Sequence, residues 1–253
     1  MIKVNDLHVS LNNKAILKNI NASIPKGSFS GLIGPNGSGK TTLLKTLSKL
    51  IPYDKGEVSI AEKELSFYKH KTLARELSYV PQDTNIDFDF NVKDIVAMGR
   101  YAHGTFFNKE ISNEAIVKEA MIATNTWRFA DKSILSLSGG QRQLVCIAKA
   151  LAQDTPLILL DEPIAALDIY YQIRILKLLK ELTMQGKTVV TVLHDLNLVA
   201  RFCENVLLLE DGKIKAHGSC KEVLTEQTLQ ETYQIEAAVR EDKLIKTIQI
   251  TPL

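Results

Sequence analysis

The chain has 253 residues, of which 45% are hydrophobic and 24% charged, and a formal net charge of +2. It is long and apolar enough for one large domain with a real core. Its charge is too small to argue for a nucleic-acid partner, and none is expected. Cys146, Cys203 and Cys220 are widely spaced and form no CxxC pair. Neither a disulfide framework nor a zinc site is expected, only buried or half-buried free thiols. The start, MIKVNDLHVS, has no charged-then-apolar leader pattern, and no apolar run approaches the ~18 residues of a bilayer span. A cytoplasmic protein is expected, reaching a membrane only by docking.

From residue 2 to 33 short apolar runs (IKV, HVSL, AILKNINASI, SFSGLI) are broken at Asn12-Asn13 and Pro25-Lys26-Gly27. This predicts an antiparallel N-terminal sheet ending in a strand over Phe29–Ile33. That strand runs straight into GPNGSGKTT, Gly34 to Thr42. From Gly39 the pattern turns helical through Leu43, Leu44, Leu47 and Leu50, and Ile51-Pro52 ends it. Residues 91–135 read as mostly helical and as an insertion. From Gly139 an α/β alternation resumes. A helix is predicted to about Gln153, then a buried strand in Leu157–Asp161, a helix over Ile169–Met184 and a strand over Lys187–Leu193. A hairpin then turns at Asp211-Gly212, between Val206–Leu209 and Lys213–His217.

Gly34, Pro35, Asn36, Gly37, Ser38, Gly39, Lys40 and Thr41 match GxxxxGK[ST] in full, with Thr42 following. Strand, glycine-rich loop and helix is the setting in which backbone N–H groups and a helix N-terminus hold phosphates. Lys40 is placed to reach the β- and γ-phosphates of ATP, and the Thr41 hydroxyl to bind Mg²⁺. LILLDEP, Leu157 to Pro163, ends a strand in two carboxylates. Asp161 suits Mg²⁺, and Glu162 suits the attacking water as general base. LSGGQ, Leu137 to Gln141, opens a helix at Ser138, Gly139, Gly140 and Gln141, a second anion-binding helix start in one chain. One ATP has little use for both, so a site shared between two copies is expected.

These motifs, in this order, resemble the ATP-binding subunits of ATP-binding cassette (ABC) transporters over residues 2 to about 235. The resemblance implies an α/β P-loop NTPase with a parallel-sheet core, an N-terminal antiparallel β subdomain and an inserted helical subdomain. It implies one domain over 1–253, with the insertion at about 91–138 and a C-terminal extension at about 220–253. It assigns Gln82 in YVPQ to sensing Mg²⁺ and the attacking water, His194 in TVLHD to the γ-phosphate, and Asp168 in AALD to the dimer-interface loop. It sets Ser138 to Gln141 against the ATP of the partner subunit, so that catalysis falls to Glu162, His194 and Gln82 and metal binding to Thr41, Gln82 and Asp161. It also implies a homodimer on the cytoplasmic face of the membrane. Permease subunits would be bound directly, and an extracellular or periplasmic substrate-binding protein would be served indirectly.

Two positions depart from the family pattern. Leu11 stands where an adenine-stacking aromatic is usual, and Ile164-Ala165 where Thr-Ser is common. Asn91–Phe107, with Gly99-Arg100-Tyr101, is similar to the corresponding segment of iron-siderophore, haem and cobalamin importers. Those three residues are expected near the groove that receives a permease helix. The resemblance thus implies ATP-driven iron-chelate import. Zinc or manganese import is the alternative, and a soluble cassette ATPase acting on ribosomes or DNA is disfavoured because no heptad run separates the motifs.

Overall fold

A computed structural model describes residues 1–84, 86–104, 111–242 and 247–253, with only the backbone of Ile111 and Ser112. The chain opens with β1 (Ile2–Leu11) and β2 (Lys14–Ile24), then β3 (Phe29–Ile33) and α1 (Lys40–Leu47). β4 (Lys55–Ile60), β5 (Lys63–Glu64), α2 (His70–Glu76) and β6 (Leu77–Val80) lead into the helical insertion, α3 (Val92–Ala97) and α4 (Ile111–Ala123). The α/β part follows as α5 (Gly139–Ala152), β7 (Leu157–Leu160), α6 (Ile169–Met184), β8 (Thr188–Val192) and α7 (Leu196–Phe202). The chain closes with β9 (Asn205–Glu210), β10 (Lys213–Ser219), α8 (Cys220–Val223), α9 (Glu226–Tyr233), β11 (Ala237–Asp242) and β12 (Thr247–Pro252).

The first sheet is antiparallel, in the order β2-β1-β4-β5. Asn12 and Asn13, both with positive φ, turn the β1–β2 hairpin, a conformation asparagine tolerates. Ile2 and Val4, then Leu7 and Val9, of β1 are buried, an alternation whose phase moves by one residue at the irregularity around Asp6. β3 does not end this sheet. All five of its residues are buried, and it lies inside a second, six-stranded sheet of order β10-β9-β3-β8-β7-β6. FSGLI carries no polar-outward position, so it suits a strand covered on both faces.

Helix α1 also stops earlier than Ile51-Pro52. Lys49 takes φ of 58° and the Leu50 amide donates back to the Lys45 carbonyl, a left-handed C-terminal cap that leaves Leu50 59% exposed. Helix α6 spans Ile169–Met184 as the periodicity predicts.

In the second sheet β9, β3, β8, β7 and β6 are parallel, and only the edge strand β10 is antiparallel. Parallel strands leave on one side of a sheet, so the residues after β3, β8, β7 and β6 share an edge. Those residues are Gly34, His194, Asp161-Glu162 and Gln82. The insertion packs Val92, Ile95, Val96, Val117, Met121, Phe129 and Ile134 against Val145 and Ala148 of α5. The other face of α5 gives Leu144 and Ile147 to the main core. Cys203 and Cys220 are buried and Cys146 half-buried, all as free thiols. Among the described residues no helix is long and apolar enough to cross a membrane.

Candidate active site at the strand ends

One cleft of about 630 Å³ opens at this edge. Asn36, Gly37, Gly39, Lys40, Thr41, Thr42, Gln82, Glu162 and His194 line it, together with Ile16. Gly34 enters the loop with φ of 143°, and a Cβ there would lie 2.0 Å from the Leu209 carbonyl oxygen. Only glycine meets both conditions.

The Lys40 ammonium is buried and donates to the carbonyls of Gly34 at 2.8 Å and Pro35 at 2.9 Å. Burial lowers its pKa, against which Glu162 and Asp161 pull upward. Asp161 follows β7 and is fully buried. The Tyr79 hydroxyl reaches its Oδ2 at a long 3.4 Å, and its Oδ1 has no partner. Burial raises its pKa above the ordinary carboxylate value, partly offset by the Thr41 hydroxyl. A buried oxygen without a donor, beside a hydroxyl and next to a phosphate-binding loop, fits a hard cation such as Mg²⁺. Ser38 Oγ, in the same loop, is likewise buried without a partner.

Burial makes the charged form of Asp161 costly. The raised folded-state pKa means that its stability contribution is greatest below the unfolded value and falls as pH rises through the folded one. At neutral pH the buried carboxylate therefore opposes folding. Asp161→Asn is expected to raise the melting midpoint of the nucleotide-free protein in a thermal scan. It should also abolish the added stabilisation by Mg²⁺ with ATP.

Glu162 is held in the left-handed region, at φ of 50°, where a non-glycine residue stores strain. Its carboxylate is fixed from two sides. Gln82 Nε2 donates to Oε2 at 3.0 Å, and His194 Nε2 approaches Oε1 at 2.7 Å. The glutamine, glutamate and histidine of three different strand ends thus form one chain of contacts around a carboxylate that can take a proton.

Ser138, Gly139, Gly140, Gln141 and Asp168 do not line this cleft. Ser138 caps α5 in a reciprocal box, accepting from the Gln141 amide while Gln141 Oε1 accepts from the Ser138 amide. Asp168 caps α6 by accepting from the Tyr171 amide at 3.1 Å. A Cβ on Gly140 would lie 2.8 Å from the Ala166 carbonyl oxygen, so the α5 start is pressed against the loop that follows Glu162.

Ile16, rather than Leu11, supplies the apolar wall of the cleft. Leu11 pairs with Lys14 at the tip of the β1–β2 hairpin. Ile164 is buried in the core and, with Ala165, borders a smaller side cavity behind Glu162 and His194. Sequence reasoning missed Ile16 and Tyr79. Tyr79 stands three residues before Gln82 on β6, and only the β6–β7 register turns it toward Asp161. Gly99 is buried, where a Cβ would meet the Lys149 carbonyl oxygen at 2.3 Å, and Arg100 donates to the Ala152 carbonyl. These two fasten the insertion to α5, while Tyr101 is 66% exposed. Thr105, Phe106 and Phe107 of the same segment lie outside the described residues.

Residues 17–165 match the family described as ABC transporter. The chain is 40% identical to the ferric enterobactin transport ATP-binding protein of Escherichia coli, over 94% of this chain and 89% of that one. It is 37% identical to the iron(3+)-hydroxamate import ATP-binding protein of Bacillus subtilis, over 95% and 90%. A cobalamin import ATP-binding protein of Halobacterium salinarum is 38% identical over the whole chain, which spans 63% of that relative's length. Among solved structures, a metal-chelate type transporter in an inward-facing conformation superposes with a TM-score of 0.84 at 30% identity, covering 100% of this chain and 96% of that one. A dimeric ATP-binding cassette with ADP and Pi bound superposes with a TM-score of 0.78 at 31% identity, covering 87% and 99%.

Proposed function

The chain belongs to the ABC transporter family, and from that premise we propose that it is the ATP-hydrolysing subunit of an importer of iron chelates, siderophore or haem. The observation that carries the ATPase reading is the convergence of Lys40, Gln82, Glu162 and His194 on one cleft at the ends of four parallel strands. The chelate reading is supported by relatives whose names specify enterobactin, hydroxamate and hemin.

In this reading the loop from Gly34 to Thr42 holds the triphosphate, with Lys40 over the β- and γ-phosphates. Mg²⁺ would be held by Thr41, Asp161 and Gln82, and when bound supplies positive charge to the phosphate oxygens. Glu162 accepts a proton from the attacking water as its oxygen bonds to the γ-phosphorus. The β–γ bridging bond breaks, and its electron pair leaves on ADP. His194 orients Glu162 and faces the γ-phosphate.

Ser138 to Gln141 and Asp168 lie apart from this cleft and serve a second copy of the chain. ATP closes the pair, and release of phosphate opens it. Bound to permease subunits at the cytoplasmic face of the membrane, this motion switches the permease. A substrate-binding protein on the far side delivers the chelate, which never touches this subunit.

The test is uptake of radiolabelled iron–siderophore and haem by vesicles containing the chain with its permease and binding protein. Uptake should require ATP and this chain, and excess free Zn²⁺ or Mn²⁺ should leave it unchanged. Chelate uptake that persists without the chain would overturn the reading. Competition by the free ions would replace it with metal-ion import.

A further inference from the structure

Helix α7 begins two residues after His194 and is only seven residues long. A helix this short does not hold itself in water, so its position is set by what it touches. Asp195 caps it, accepting from the Asn197 and Leu198 amides at 2.8 and 3.0 Å. The other hold comes from the far end of the chain. Asn197 Nδ2 donates to the Ile250 carbonyl at 3.1 Å, while Asn197 Oδ1 accepts from the Ile250 amide at 2.8 Å. One side chain thus pairs both backbone groups of a single residue of β12, as a neighbouring strand would. Three residues further along α7 a second contact holds the two elements together, where the Thr247 hydroxyl donates to the Ala200 carbonyl at 2.6 Å.

The hairpin that makes these contacts is itself anchored. Ile248, Ile250 and Ala237 are buried in the main core. Glu226 Oε1 accepts from the Val239 amide, and Lys221 pairs with Glu241 at 2.7 Å. The same C-terminal part of the chain also reaches the start of the phosphate-binding loop, where Tyr233, whose hydroxyl burial raises to about 12, has the Gly34 backbone as its polar neighbour.

We propose that the β11–β12 hairpin, through Asn197, sets the position of His194 against Glu162, which makes Asn197 a positioning residue for the hydrolytic cleft. This rests on the ATPase reading above, and its test separates the two. In Asn197→Ala the kcat for ATP should fall about 5–10-fold with KM for ATP within about two-fold of the unaltered chain, the split expected when a reacting group is misplaced but binding is kept. In a His194→Ala background the same substitution should cost nothing further, because the two act through one group.

Hydrogen exchange reads the brace without ATP. Amides 195–200 should exchange faster in Asn197→Ala, and also in Thr247→Val, a milder change that keeps the side-chain bulk should the first variant fold poorly. Unchanged exchange in both variants overturns the brace. An equal loss of kcat with and without His194 overturns the positioning role. An unaltered chain that hydrolyses no ATP removes the ATPase reading, and the exchange result then decides the brace alone.

Discussion

Glu162→Gln is expected to slow ATP hydrolysis by about 10²–10³-fold while leaving ATP binding intact, in the range set by removal of a positioned general base. The carboxylate is the centre of the contact chain, with Gln82 on one oxygen and His194 on the other. An amide of the same shape cannot take a proton from water. It also puts an N–H₂ where a carboxylate oxygen now meets Gln82 or His194, so the contacts around it must rearrange. ATP should therefore remain bound and unhydrolysed, and a pair of chains should accumulate in size-exclusion chromatography with ATP and Mg²⁺. Steady-state phosphate release measures the first effect. A rate within about three-fold of the unaltered chain would remove Glu162 from the role of base.

Lys40→Ala acts on binding instead. The ammonium is the cation at the floor of the loop, and it ties the carbonyls of Gly34 and Pro35 together. Its loss removes both the charge that meets the phosphates and the tie that shapes the loop. Hydrogen bonds of a charged donor are worth about 1.5–3 kcal/mol each. A loss of about 100-fold in ATP affinity, or about 2.7 kcal/mol, is expected in a titration with a fluorescent ATP analogue. Hydrolysis should fall with it. Affinity that stays within about three-fold would show that the backbone amides alone hold the triphosphate.

Much of this site was legible as text because its groups are local. Gly34 to Thr42 form one loop between a strand and a helix, and the Ser138–Gln141 cap lies within a single turn. Periodicity found α6 because a sixteen-residue amphipathic helix repeats its pattern several times. The place of β3 was not legible. FSGLI names a strand that is buried on both faces, but not which sheet covers it, and that depends on pairing with β8 and β9 far along the chain. Leu11 and Ile16 show the same limit, since position in a motif does not say which side chain of a hairpin turns inward. Tyr79 and Asn197 were invisible for a related reason. Their partners, Asp161 and Ile250, are 82 and 53 residues away.

The contact between Gly140 and Ala166 has a mechanical consequence. Ser138 to Gln141 open α5 on one side of this contact, and Glu162 lines the cleft on the other. Between them there is no slack, since a single methyl on Gly140 would already displace the Ala166 carbonyl. The start of α5 and the loop that follows Glu162 are in direct contact there. A change at position 140 therefore acts on the loop behind the cleft as well as on the helix start.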